Sequence, residues 1–280
     1  MREQTITEAQ LNAFQTRLLE EERSAATIEK YMLNVRQFAL FLDNADLTKT
    51  AVAQWKKKLL EHCAPSTVNG KLTALDRFLQ FLGAEECCVR HLKIQRKLFR
   101  EAGRDLSREE YLRLLSAAQS QGKERLGLLM ESICATGIRV SEVCYLTVEA
   151  VRCGRAEVAL KGKIRTILIP SKLCRKLLKY AKKMKIASGE IFLTRSGRGM
   201  SRKQIWAEMK RACTKAGVEP EKVFPHNLRL LFARSFYQAC RDVAGLADVL
   251  GHSSIETTGI YLISTGMEYA RTMEGLRLLS

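Results

Sequence analysis

Apolar residues at the spacing of an α-helix recur along this chain and confine most of it to a helical fold. Four such stretches fill the first hundred residues. Thr7 caps one with Leu11, Phe14, Leu18 and Leu19, and Ser24 or Thr27 opens the next, with Ile28, Tyr31, Met32, Val35, Phe38 and Leu42. A third runs from Thr48 to His62 and carries Trp55 and Lys56-Lys57-Lys58. Pro65-Ser66-Thr67 opens a fourth, with Val68, Leu72, Leu75, Phe78, Leu79 and Leu82, stopped by Gly83. Each stretch has one apolar face to bury, so residues 1–97 are expected to form a small helical bundle.

Lys93 to Asp105 holds Arg96, Lys97, Arg100 and Arg104 without periodicity and reads as a basic connector, with residues 98–105 as the linker; residues 106–280 then form a second domain. Ser107 and Glu110 have the spacing of a helix-starting pair. Arg125 to Ala135 is strongly apolar and is broken by Gly137, with Ser141 and Glu142 expected on the next helix. The period changes to alternation at Ala156–Leu160 and Arg165–Ile169. These read as two strands of an antiparallel hairpin with Lys161-Gly162-Lys163 as its turn. A lysine there can reach into a groove.

The chain has 280 residues, 46% of them hydrophobic, enough for one large or two ordinary domains. Its net charge of +17 favours a polyanionic partner. The excess is local: residues 161–229 hold nineteen basic and four acidic groups. In the bundle, Lys56, Lys57, Lys71 and Arg77 are candidates for phosphate contacts, with Ser66, Thr67 and Asn69 at a helix start. The nine cysteines show no Cys-x-x-Cys and give no metal or disulfide framework. Cys134, Cys144 and Cys240 lie in apolar helical patterns and read as small core residues. The expectation is a reduced, cytoplasmic protein with no membrane span, metal or cofactor.

The densest chemistry lies between Pro225 and Tyr261. His226 and Arg229 stand three apart on a helix that opens after Pro225, whose core face reads as Leu228, Leu231, Phe232, Ser235, Phe236 and Ala239. His226 and Arg229 are expected on the other side, able to meet a ligand together. Gly251 ends a second helix and presents His252. Ser253 and Glu256 have capping-box spacing for a short helix carrying Tyr261. Upstream, Arg139 and Glu142 are three apart, so the carboxylate can orient the guanidinium.

The order of these motifs resembles the tyrosine recombinase, or phage-type integrase, family. The matching residues are Ala135-Thr136-Gly137-Ile138-Arg139-Val140-Ser141-Glu142, then Gly162-Lys163 with Arg165 and Pro170, then His226 to Arg229, Leu250 to His252, and Thr258 to Tyr261. The first domain resembles the family's core-binding, SAM-like bundle, and the likeness covers nearly the whole chain. Leu230 stands where many members have His, and the Lys161–Arg165 hairpin is tighter than the family's usual form.

The resemblance implies a mainly helical catalytic domain with a small antiparallel sheet, and site-specific recombination of duplex DNA through a 3′-phosphotyrosine, in integration, excision or resolution. Tyr261 would be the nucleophile. Arg139 and Arg229 would clamp the phosphate, and His226 would serve as base or phosphate ligand. His252 would hydrogen-bond the phosphate, Glu142 would steady Arg139, and Lys163 or Lys161, with Lys163 preferred, would protonate the leaving oxygen. Arg165 joins the DNA-contacting residues. The bundle begins almost at Met1, so a separate arm-site-binding domain is expected to be absent. The resemblance further implies a tetramer on two paired sites, associated with the nucleoid when on DNA and aided in some members by DNA-bending proteins. It also implies docking of an apolar face after Gly266 (Tyr269, Met273, Leu276) on a neighbouring protomer. A type IB topoisomerase-like enzyme and a non-enzymatic DNA-binding protein are the alternatives.

Overall fold

The computed structural model describes residues 5–94, 103–160, 163–252, 254–259, 261 and 275. The chain divides into two compact units, Met1–Arg96 and Lys97–Ser280.

Among its described residues the first unit holds four α-helices: α1 (Glu8–Glu20), α2 (Ala25–Leu42), α3 (Lys49–His62) and α4 (Pro65–Leu82). Local chemistry sets their ends. Thr7 and Gln10 close a capping box on α1, the Thr48 hydroxyl accepts from Ala51 N, and Gly83 stops α4 in the left-handed conformation. The apolar faces meet in one core. Phe14 packs edge-on against Phe78 at 5.2 Å between ring centroids, and Phe38 lies 5.1 Å from Trp55.

Behind α4 the chain returns as a strap over residues 88–94, and side chains pin it. The Asn69 amide donates to Leu92 O and accepts from Leu92 N, both at 2.9 Å. His91 meets Asp76 at 2.7 Å, and Lys56 Nζ donates to Arg90 O at 2.6 Å. Asn69 therefore satisfies a backbone pair of its own unit.

The second unit is built around α6 (Glu124–Thr136), whose Leu126, Leu129, Met130 and Ile133 are fully buried. Around it stand α5 (Arg108–Ser120), α8 (Ser171–Lys183), α9 (Arg202–Ala216) and α10 (Pro225–Cys240). Ser107 and Glu110 close the expected capping box on α5. The short α7 (Val148–Cys153) leads into an antiparallel hairpin, β1 (Arg155–Leu160) and β2 (Lys163–Leu168). Leu160 pairs with Lys163, so residues 161 and 162 make the loop and Lys163 begins β2 rather than lying in the turn. The alternation holds: Ala156, Val158 and Ile167 face the core, while Ile164 and Leu168 are exposed. Helices α11 (Val243–Leu250) and α12 (Ile255–Gly259) follow.

Several expectations are corrected. Ser141 and Glu142 lie in a 3₁₀ segment, Val140–Tyr145, not an α-helix. Its tighter winding exposes Cys144; Cys240 is exposed because it is the last residue of α10, and Cys134 is half-buried. All nine cysteines are free. On α10 the buried set is Asn227, Leu228, Arg229, Leu230 and Ala233; Ser235 and Ala239 are exposed. The first turn of this helix is enclosed on several sides, so its burial is not a single stripe. Most of the basic connector and the segment after Gly266 lie outside the described residues. No helix among the described residues is long and apolar enough to cross a membrane.

Candidate active site

Two helix C-termini make the floor of the site. Helix α6 ends at Gly137 (φ +65°) and α11 at Gly251 (φ +62°), both left-handed. A Cβ at Gly137 would collide with the Phe232 ring, and one at Gly251 with the Arg165 side chain. The last carbonyls of a helix lack intrahelical donors and carry the negative end of its dipole. Here guanidinium groups supply the donors.

Arg229, on α10, donates to Gly137 O through Nη1 and to Leu250 O through Nη2 at 2.8 Å. Arg139, just ahead of the 3₁₀ segment, donates to Gly251 O at 3.0 Å. Arg165, on β2, donates to Val249 O at 3.0 Å. Three arginines from three elements thus converge on two helix ends. The expectation that Arg229 points out of the core is corrected: it is 2% exposed, and the interior of the site is what it faces.

Glu142 balances part of this charge. It is 1% exposed, accepts from Arg139 N at 2.8 Å and from Arg139 Nη1 at 2.9 Å, and is ion-paired with Arg165. Burial raises its pKa, but the hydrogen bonds from Arg139 and the charge of Arg165 outweigh it, and the net shift is down. Three guanidinium groups against one carboxylate leave the cluster with a net charge of +2. Arg165 Nε is buried without a hydrogen-bond partner among the described residues. Such an arrangement is suited to an anion.

The tyrosine sits beside it. The Tyr261 ring lies 5.3 Å from His252 at an interplanar angle of 16°, and 5.4 Å from His226. It also packs on the small apolar cluster of Ala233, Leu246 and Leu250. His252 Nε2 is 2.9 Å from Arg229 Nη2, and Nδ1 is 2.8 Å from Thr258 Oγ1. Burial, then the neighbouring Arg229, Arg139 and Arg165, push the His252 pKa down to about 4, so the ring is neutral near pH 7. Burial and the other two arginines lower Arg229 to about 10, while the Tyr261 phenol acts in the opposite sense.

Arg139, Glu142, His226, Arg229, His252 and Tyr261 are therefore gathered in one place. Lys163 opens β2 two residues before Arg165; its side chain, and all of Lys161, lie outside the described residues. Arg165, a candidate DNA contact, is held here in the network by Glu142 and Val249 O, with 14% of its side chain exposed. Its spacing on a strand with buried Ile167 placed it inward, a signal the alternation already carried. Thr258, 0% exposed, had no signal beyond its place before Tyr261. Tyr261 lies beyond the end of α12, and the cap of that helix comes from Ser254 Oγ, which accepts from Glu256 N at 3.2 Å; Ser253 is outside the described residues. In the first unit, Lys57 is exposed on α3, Lys71 bonds Gln37, and Arg77 is ion-paired with Glu21 at 2.8 Å.

The sequence profile described as "Phage integrase family" matches residues 104–266, and "Phage integrase, N-terminal SAM-like domain" matches residues 11–86. Among curated relatives, the chain is 28% identical to tyrosine recombinase XerA of Pyrococcus furiosus, across 100% of this chain and 98% of the relative. It is 30% identical to tyrosine recombinase XerC of Roseiflexus castenholzii, across 90% and 88%. Among solved structures, a lambda integrase tetramer bound to a Holliday junction superposes with a TM-score of 0.73 at 20% identity, across 90% of this chain and 76% of that one. That likeness is one of fold. With both profiles matching in order and relatives aligned over nearly its full length, the chain belongs to the phage integrase family of tyrosine recombinases.

Proposed function

We propose that this chain is a site-specific DNA recombinase that cleaves and rejoins duplex DNA through a 3′-phosphotyrosine on Tyr261. The observation that carries the reading is the partly buried, net-positive cluster of Arg139, Arg165 and Arg229 with Tyr261 packed between two histidines. A phosphodiester resists attack because it is anionic and its leaving alkoxide is poor. Arg139 and Arg229 hold the non-bridging oxygens and stabilise the charge that builds on them as phosphorus becomes pentacoordinate. They are already bound to fixed carbonyls and to Glu142, so little reorganisation is needed when charge develops.

The Tyr261 oxygen bonds to phosphorus and its proton passes to a base, for which His226 is the neighbour in place; His226 can also bind the phosphate. The bond from phosphorus to the 5′ oxygen breaks, and Lys163 protonates that oxygen. The phosphotyrosine keeps the bond energy, so a 5′ hydroxyl from a second strand can reverse the step without a nucleotide cofactor. The arginines and the lysine supply the positive charge at the phosphate.

DNA is the partner that the charge of the chain favours, with Lys56, Lys57, Lys71 and Arg77 of the first unit as phosphate contacts. Exchange between two sites calls for four subunits, and the lambda integrase relative was seen as a tetramer on a junction. The proposed division of labour gives residues 1–97 to DNA binding and 106–280 to catalysis.

Trapping on a nicked duplex tests the reading. Wild type forms a denaturant-resistant adduct, in excess EDTA as well as in its absence, while Tyr261→Phe binds the half-site normally and forms none. An adduct with the Phe variant overturns the assignment. Stable synapsis of two marked sites separates recombination from simple relaxation.

A further inference from the structure

Helix α10 starts without a side-chain cap. Phe224 stands at its N-cap, where it offers no oxygen to the amides of the first turn, and Pro225 follows at the first helical position. His226 and Arg229 ride on that turn. Arg229 is buried and held by two carbonyls, whereas His226 is exposed, with the rings of Phe224 and Tyr261 at 6.4 and 5.4 Å. Its place is therefore set by the backbone that carries it, and an uncapped end is the part of a helix that frays first.

Asn227 ties that turn down. Its side chain is 2% exposed, and Nδ2 donates to Arg104 O at 2.9 Å and to Lys222 O at 2.8 Å. Both partners are carbonyls, which only accept, so the amide has one orientation and both of its N–H groups are used. Lys222 closes a short 3₁₀ turn, Pro220–Lys222, ahead of α10, and its Nζ is bound to Glu110 of α5 at 3.0 Å. Arg104 lies at the end of the basic connector, and the next residue, Asp105, pairs with Arg234 at 2.7 Å. Residues 227 and 234 are seven apart on α10 and share a face, while 226, 229 and 233 share another. One face of the helix is thus fastened at two points, and the next face carries the site.

We infer that Asn227 is a positioning residue for His226: its bonds to Arg104 O and Lys222 O secure the turn that no cap secures, and so fix the histidine beside Tyr261. The effect on catalysis rests on the recombinase reading; the tie itself does not. Asparagine suits the place because it brings two donors on one short side chain. A carboxylate of the same shape would set oxygen against two carbonyls, and an aliphatic side chain would leave both carbonyls without this donor.

The full chain gives the test. Asn227→Leu keeps the volume and removes both donors. In native-state hydrogen exchange without DNA, the amides of Arg229 and Leu230, the first to bond within α10, should exchange about tenfold faster in the variant, while that of Ile133 in α6 keeps its rate. Unchanged exchange at 229 and 230, or an equal rise at Ile133, overturns the inference whatever the enzyme does. The kinetic arm follows single-turnover adduct formation at saturating half-site. Its substrate has sulfur in place of the leaving 5′ oxygen, so that slow variants stay measurable. Asn227→Leu should lose about tenfold to a hundredfold, part of what a well-placed base contributes, with half-site affinity unchanged. In a His226→Ala background it should add no further loss, and in a Lys163→Ala background it should cost the same factor as in wild type. A wild-type rate for Asn227→Leu, or the same loss with His226 removed as with it present, overturns the positioning role. If Asn227→Leu does not fold, Asn227→Ser, which keeps one donor, carries the same comparisons. Failure of the recombinase reading looks different: Tyr261→Phe would still form adduct while the exchange result stood.

Discussion

Glu142 and Arg165 form an ion pair between the 3₁₀ segment and strand β2, with side-chain exposures of 1% and 14%. It ties β2, the strand that begins with Lys163, to the residue that also holds Arg139. The pair is structural as well as electrostatic, because it is shielded from water and closes a contact between segments 23 residues apart.

Arg165→Met should therefore destabilise the second unit by about 3 kcal/mol, the lower end of the range for stranding one partner of a buried pair, since Arg139 remains beside Glu142. Urea unfolding should show a lower midpoint at an unchanged slope. Combined with Glu142→Gln, the effects should be clearly less than additive. Additive losses would mean that the two side chains do not act on each other.

Arg139 should act on the transition state rather than on affinity. It is partly exposed, at 39% of its side chain, so its removal strands no buried charge other than a share of Glu142. Arg139→Ala should cut adduct formation on the order of a hundredfold or more at saturating DNA, as other preorganised charge sites do. Gel-shift binding to a half-site should change little. An adduct rate near wild type would remove Arg139 from the mechanism.

A substrate whose leaving 5′ oxygen is replaced by sulfur needs little protonation. Lys163→Ala should lose most of its activity on the normal substrate and regain it on the sulfur-containing one. Rescue of Lys161→Ala instead would move the proton donor two residues, and equal loss on both substrates would argue against the role for either.

His252 predicts a pH dependence of stability. Its folded pKa, about 4, is below the value of about 6.5 in an unfolded chain, because burial and the charges of Arg229, Arg139, Arg165 and His226 oppose protonation. The folded state thus binds fewer protons in this window. The stability is fully present above about pH 6.5 and is lost as pH falls toward 4. Urea midpoints measured across this range should fall more steeply for wild type than for His252→Gln. Parallel curves would show that the ring is not held neutral by its surroundings.

The sequence by itself determined most of the helices, the caps at Thr7 and Ser107, and the presence of the hairpin. Helical and alternating periods are local properties, and so are Thr7 with Gln10, Ser107 with Glu110, and Gly83 as a stop. Motif order also placed Arg139, Glu142, His226, Arg229, His252 and Tyr261 in one candidate set. The tertiary structure alone decided how these side chains meet. The carbonyls of Gly137, Val249, Leu250 and Gly251 become arginine acceptors because α6 and α11 end at the same place, and periodicity cannot show where two helix ends converge. Arg165 reads as one more cation in a basic stretch until packing pairs it with Glu142. Thr258 stands out in sequence only as the start of the stretch that ends at Tyr261, and Asn69 as a polar group near a helix start. The fold brings the first to His252 Nδ1 and the second to the backbone of Leu92. Burial makes each hydrogen bond matter, since a polar group removed from water must find its partner within the protein.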